Sequence, residues 1–440
     1  MHATHLSRRS MLTVFGSLLG SSASGWFPAF AAAAAQDKLR KRSCILLWMN
    51  GGPATIDLFD LKVGHDNGGP STEIATSVPG LKISAHLPQL ARHAHHLGII
   101  RSMSTREGDH GRGAYFLHTG YMPTGALQYP TLGSLISKEL GDENADLPDF
   151  ISVSPFRLFS RGAYGPGFLG PNYAPLVVGE SNRFSRPQLN EPNLDRMLRV
   201  SDLERPKEID KSQAESRELL LRELDSSFLS ENPSFVAKSH RTAYDRASNL
   251  MQSSGARAFD LSSEPEKVRN AYGRNIFGQG CLLARRLVER GVSFIEVNLG
   301  GWDTHDNNFV EVQKQCEILD SAWSNLMTDL QDRGLLESTT ILWMGEFGRT
   351  PKINQGKGRD HFPNAWSAVL AGGGIHGGQT YGTTSPDGTT VESEPTTAPD
   401  LLATLCKAMG IDPTKQNNSN VGRPIRIADK SAKVVKPLVG

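Results

Sequence analysis

Residues 43–57 read Ser43-Cys44-Ile45-Leu46-Leu47-Trp48-Met49, then Asn50-Gly51-Gly52-Pro53-Ala54-Thr55-Ile56-Asp57. The first seven form an unbroken apolar run, without the alternation of a half-wet strand. That is the pattern of a central strand buried on both faces, as in a parallel sheet. The asparagine, two glycines and proline then end it in a turn. Further along the chain, similar runs recur at 97–100, 293–297, 339–344 and 366–370. Helix-like stretches at about 268–290 and 310–330 precede the third and fourth runs, and another closes the chain at 400–409. Strands alternating with helices predict an α/β fold with a mostly parallel central sheet, covered on both faces.

Lys and Arg number 47 against 46 Asp and Glu, so the charge is nearly balanced. With no basic excess, nothing points to nucleic acid as a partner. Cys44, Cys281, Cys316 and Cys406 have no metal-type spacing and read as buried free thiols. Residues 1–35 have the layout of a twin-arginine signal peptide. Ser7-Arg8-Arg9-Ser10-Met11-Leu12 opens a weakly apolar stretch broken by Gly16, Gly20 and Gly25, and small residues follow to Ala35. The stretch is too short and polar for a stable membrane anchor, since a spanning helix needs ~20 mostly apolar residues. The expected partner is the twin-arginine export machinery, and the expected location is periplasmic or extracellular. Residues 36–440 then form the mature domain. Within it, about 150–265 differs in character, first rich in Pro, Gly and Arg, then charged and helix-prone. It reads as an insertion that roofs the site or as a solvated helical appendage.

In open α/β sheets, ligands bind beyond the C-terminal ends of the strands. The segments there carry Asp57; Glu107, Asp109, His110 and Arg112; Asp303, His305 and Asp306; Glu346 and Arg349; and, a little further on, Asp360 and His361. Carboxylates and imidazoles gathered at one sheet edge suit a divalent cation such as Zn, Mn, Mg or Ca. Neighbouring glycines let backbone approach a ligand closely. Asp60 either shares the role of Asp57 or caps a turn. Arg349 either clamps an anion or pairs with Glu346. His93, His95 and His96 read as a surface helix end, and His118 as packing.

The set Asn50-Gly51-Gly52-Pro53 to Asp57, Gly301-Trp302-Asp303-Thr304-His305, Gly345-Glu346-Phe347-Gly348-Arg349-Thr350-Pro351 and Asp360-His361 resembles the domain of unknown function 1501 family. That resemblance covers nearly the whole mature chain and implies membership of the alkaline phosphatase and sulfatase superfamily. It implies an alkaline phosphatase-like αβα sandwich with one or two divalent metals and a nucleophile at a helix N-terminus. Carried over by position, Asp57 matches the acid after the first strand, and Asp303 and His305 match an Asp-plus-His metal pair. Glu346 stands where the superfamily has Asp followed by His, and His361 resembles the late metal-binding histidine. Phe347 replaces the expected second histidine. Counting back from Thr119-Gly120 puts His110 at the nucleophile position, and 107–118 contains no Cys, Ser or Thr. The function implied is an exported metal-dependent hydrolase of phosphate or sulfate esters, sulfatase-like, acting on a small molecule or a polysaccharide. Asp57, Asp303, His305, Glu346 and His361 would hold metal, and His110, Arg112 and Arg349 would serve the ester. The competing expectation is a non-catalytic binding protein of the cell envelope on the same scaffold.

Overall fold

Every residue of Ser43–Met49 (β1) is buried, and its side chains alternate between two cores. Cys44, Leu46 and Trp48 face one, Ile45, Leu47 and Met49 the other, the two-residue period of a strand covered on both sides. The computed structural model describes residues 42–440, apart from 126, 143, 144, 180–193, 201, 202, 204 and 233. The twin-arginine segment therefore lies outside the described residues.

The central sheet has eight strands: β1, β2 (Leu97–Met103), β3 (Phe150–Val153), β4 (Leu176–Val178), β5 (Phe294–Leu299), β6 (Thr339–Met344), β7 (Trp366–Gly372) and β8 (Gln379–Tyr381). Their spatial order is β8-β2-β7-β6-β1-β5-β3-β4. β1 lies between β5 and β6, parallel to both. Within this sheet only β7 is reversed, pairing antiparallel with β2 and β6. One face is covered by α1 (His110–Thr119), α2 (Leu132–Leu140) and α7 (Ala398–Ala408); α5 (Ile276–Glu289) and α6 (Asn308–Asp332) cover the other. The result is an αβα sandwich, as expected. Each Leu or Ile buried between these layers contributes roughly 1.5–3 kcal/mol.

Local signals set the helix ends. Asp109 caps α1, its side chain accepting from the Arg112 amide, and Gly120 ends the helix at φ 73°. Thr397 and Asp400 form a reciprocal capping box on α7. All four cysteines are buried free thiols.

The first part of the stretch expected to be an insertion belongs to the central sheet. Residues 150–178, read as its start, supply β3 and β4 to the central sheet. Those strands are short and stand among prolines and glycines, so no long apolar run marks them. The charged stretch that follows does form a helical hairpin, α3 (Lys211–Glu231) and α4 (Phe235–Gln252). Among the described residues no helix is long and apolar enough to cross a membrane.

Candidate metal centre

β1, β2, β5 and β6 end at the same edge of the sheet. β7 begins there, because it runs the other way and its first residue, Trp366, pairs with Met103 at the end of β2. Asp303 and His305 follow β5, Glu346 follows β6, His110 opens α1 after β2, and His361 precedes β7. His361 is fixed by a two-stranded ladder opposite Arg349.

Three side chains meet in a small triangle. His305 Nε2 is 3.0 Å from His361 Nε2 and 3.1 Å from Asp303 Oδ1, and His361 Nε2 is 3.3 Å from the same oxygen. The distal ring nitrogens have partners that set the tautomers. His361 Nδ1 lies 2.7 Å from the Gly108 carbonyl, and His305 Nδ1 lies 2.8 Å from Asp360 Oδ1. A carbonyl only accepts, so His361 Nδ1 carries the hydrogen, and the Asp360 carboxylate selects the same tautomer in His305. Both Nε2 lone pairs then face each other and a carboxylate oxygen. That is repulsive without a positive charge between them. Ligands bonded to an ion at ~2.0–2.2 Å stand roughly 3–3.5 Å apart, the spacing of this triangle. The residues therefore fit a divalent cation, with second partners that orient the rings as metal-bound histidines require.

His110 stands beside the triangle. Its Nε2 is 3.4 Å from Asp303 Oδ2, and its Nδ1 is 2.7 Å from Glu346 Oε1. His110, Asp303 and His361 also present ligand atoms within 4.8 Å of one another. Burial lowers the His110 pKa, but Asp303 and Glu346 outweigh it and raise the group to about 9. Burial likewise opposes ionisation of Asp303; His110 and Arg349 outweigh it and hold its carboxyl well below the usual range. Gly51 donates its amide to Glu346 Oε1 at 2.9 Å. A Cβ on Gly51, at φ 114°, would sit 2.3 Å from the Asp303 amide, so only glycine allows this approach.

The other expected site residues take different partners. Asp57 is not in the triangle. It is 1% exposed and takes a two-pronged ion pair from the buried Arg359, at 2.8 and 2.9 Å, with Asn308 and Ser71 as further donors. Arg359, Asn308 and Ser71 donate to its two oxygens inside the core. Asp60 pairs with Lys62 at 3.2 Å. Arg112 is half exposed and forked onto Glu107 at 2.8 and 2.9 Å, so it does not aim at the triangle. Arg349 is fully buried; it binds Asp303, not Glu346, and donates to the carbonyls of Gly51, Gly52 and Arg359. It anchors Asp303 and has no spare fork for an anion. Glu346 touches His110 and the Gly51 amide, which makes it a positioning group, and its Oε2 is buried with no hydrogen-bond partner among the described residues. His118, read as packing, is buried and bonded to the Ala114 carbonyl.

Asp360 is the residue whose role went unread. It stands next to His361 in sequence, yet it serves His305. In an extended segment successive side chains point to opposite sides, and that was the available signal.

The family model described as "Protein of unknown function (DUF1501)" matches residues 41–439. The chain belongs to this family. A search of curated proteins finds no match. Among solved structures the DUF1501 chain is similar to the PsFucS1 sulfatase from Pseudoalteromonas sp., at 13% identity over 88% of this chain and 72% of that one, TM-score 0.41. It is similar to a protein in the alkaline phosphatase superfamily from Vibrio parahaemolyticus, at 12% identity over 89% and 76%, TM-score 0.36. It is also similar to the lipoteichoic acid synthase LtaP from Listeria monocytogenes, at 9% identity over 88% and 74%, TM-score 0.39.

Proposed function

We propose that this DUF1501 protein is an exported, metal-dependent hydrolase of phosphate or sulfate esters, including those of polysaccharides. One observation carries the reading: two histidine lone pairs and one carboxylate oxygen converge within 3.3 Å, each ring held from behind by an acceptor. Asp303, His305 and His361 would hold the cation. Two imidazoles and a carboxylate favour Zn or Mn over Mg or Ca, which prefer all-oxygen sets. Bound there, a divalent cation supplies positive charge that polarises an ester oxygen and acidifies water. Three protein ligands leave a position open, as catalytic sites do.

His110 supplies the proton chemistry. Its Nδ1 is committed to Glu346, which leaves Nε2, 3.4 Å from Asp303 Oδ2, as the ring nitrogen nearest the triangle. A group with a pKa of about 9 is protonated at neutral pH. In this reading His110 Nε2 donates to the leaving alcohol oxygen as the ester bond breaks. No serine, threonine or cysteine lies in 107–118, so no hydroxyl or thiol stands at the start of α1. The ester would therefore be opened by one in-line attack of water, whose oxygen bonds to phosphorus or sulfur as the bond to the alcohol breaks, the water's proton passing to solvent and the His110 proton to the alcohol, with inversion at a chiral phosphorus or sulfur centre. Glycines and Arg349 fix the ligands but do not react. Arg8 and Arg9 carry the export proposal, and changing both to Lys should leave the precursor in the cytoplasm.

The test pairs two variants. His361→Ala should abolish metal retention on purification. His110→Ala should keep the metal but lose roughly 10²–10⁴ in turnover, the usual contribution of a general acid–base group. Stoichiometric metal with no turnover of any ester would favour a binding protein; a metal-free wild type would remove the metal-centre reading as well. The binding-protein reading draws on one feature, the imidazole standing where the superfamily resemblance implies a nucleophile.

A further inference from the structure

The helix α3 runs for 21 residues and buries none of them. A helix in water is held mainly by the packing of one face against something else. α4 covers one side of it: Ser248 and Gln252 donate to Glu218, and Arg241 lies 3.8 Å from Asp225. A second side is apolar and bare. Leu220, Leu224 and Phe228 are 56%, 61% and 55% exposed. Each is four residues from the next, so they stand in one stripe along the helix. Arg217 and Glu231 continue the stripe at its two ends, one further step of three residues each way. Both are exposed, and neither has an ion-pair partner among the described residues, although Lys211, Arg222 and Arg241 all pair within the hairpin. Leu219, also exposed, lies round the helix from this stripe.

The stripe reads Arg217, Leu220, Leu224, Phe228, Glu231, and it is self-complementary about Leu224. Leu220 and Phe228 stand equally far from the centre, and so do Arg217 and Glu231. We propose that α3 is the contact helix of a symmetric dimer, with the α3 of a second copy of this chain lying antiparallel across it. A two-fold axis at Leu224 would set that residue on its own copy, Leu220 on the partner's Phe228, and Arg217 on the partner's Glu231. A two-fold interface uses the same patch on both subunits, so a self-complementary stripe is what it requires. Charge decides the direction. A parallel pairing would set arginine on arginine and glutamate on glutamate, whereas the antiparallel one makes an ion pair at each end. The stripe is about 21 Å long at 1.5 Å per residue. Two such stripes face to face bury roughly 1,000 Å², near the lower bound for specific association, so the dimer is weak and depends on concentration.

Sedimentation equilibrium on the purified protein, from about 1 μM to about 1 mM, reads the association. The expected result is reversible dimerisation within that range. Leu224→Lys sets two like charges on the axis and should weaken the dimer roughly tenfold or more. Arg217→Glu and Glu231→Arg should each weaken it roughly 3- to 10-fold, because either change puts like charges together at both ends. Combining the two reverses both members of each pair and should restore wild-type association, which a change that had merely disrupted α3 would not do. A monomer across the whole range would overturn the inference. So would a dimer indifferent to Leu224→Lys, or a charge-swapped double variant no tighter than the single ones. Since all four native cysteines are buried, a maleimide can also probe Leu224→Cys. A monomer in which that thiol is protected would give the stripe to another segment of the same chain and would equally overturn the dimer.

Discussion

Glu346→Gln is the change that best separates a metal ligand from a positioning group. In the structure Glu346 Oε1 accepts from His110 Nδ1 at 2.7 Å and from the Gly51 amide at 2.9 Å. A glutamine oxygen in the same place keeps both bonds, so geometry is preserved and charge is lost. The glutamine NH₂ then occupies the position of Oε2, which is buried without a partner; an unsatisfied buried donor costs about 1–3 kcal/mol. The charge lost is part of what raises His110 from 6.5 to about 9. Each pKa unit corresponds to about 1.36 kcal/mol, and Asp303 shares the effect. Loss of the Glu346 charge is therefore worth roughly 1–2 kcal/mol of proton affinity at His110, on the order of tenfold or more. Two assays read this. A chelator competition titration should show metal affinity close to wild type, because Asp303, His305 and His361 are untouched. NMR of the metal-free protein should show the His110 titration moved down toward the ordinary imidazole value, and the alkaline limb of the pH–rate profile should move down by the same amount. If Glu346→Gln loses metal as completely as His361→Ala, Glu346 is a ligand and the positioning argument is wrong.

Three further outcomes follow from the same geometry. Asp57→Asn should cost about 3–5 kcal/mol in chemical denaturation, because it strands the buried Arg359 without its counter-charge, and should leave metal affinity unchanged; a stable variant that loses metal would restore Asp57 as a ligand. The metal-free protein should lose stability as pH rises from about 6.5 to about 9, since a folded-state pKa raised above the unfolded value stabilises below 6.5 and ceases to do so above the folded pKa; a thermal melt series that rises over that window contradicts the proton held at His110. All four cysteines are buried, with their thiols pushed well above the usual range by burial, so a thiol reagent should label none in the native protein and all four after unfolding.

The strands were legible where a long apolar run could be seen. β1, β2, β5, β6 and β7 each show one, because a strand covered on both faces needs apolar side chains at every position. Direction was not legible. The apolar run of β7 carries no mark that it runs against its neighbours, yet that reversal brings the preceding segment, and His361 with it, to the ligand edge. β3 and β4 were missed because three or four residues among prolines and glycines look like loop. In the site, the residue types and the edge were readable, since glycine-flanked acids and histidines gathered after the strands. Partner choice was not. Nothing local told Asp57 that Arg359 would claim it, because their sequence separation is large and the pairing depends on the folded sheet.

The stretch Arg359-Asp360-His361 sends three neighbouring side chains to three different places in the fold. Arg359 is fully buried and neutralises Asp57 in the core; Asp360 is exposed and orients His305; His361 is half-buried and completes the triangle. Three adjacent residues serve three different partners because extended backbone turns successive side chains to opposite sides. The ladder opposite Arg349 locks that register, and Arg349 in turn grips Asp303 and the Arg359 carbonyl. A Cβ on Gly358 would lie 1.7 Å from the His305 carbonyl, so the segment entering this stretch is pressed against the loop that carries the other histidine. The core ion pair, the ladder and the His305–Asp303–His361 triangle are thus one mechanical unit. Moving His361 by one register step would also pull Arg359 from Asp57. The cost of a buried unpaired charge therefore holds the geometry of the triangle in place, and the two ring nitrogens are kept facing each other because the core beneath them cannot relax.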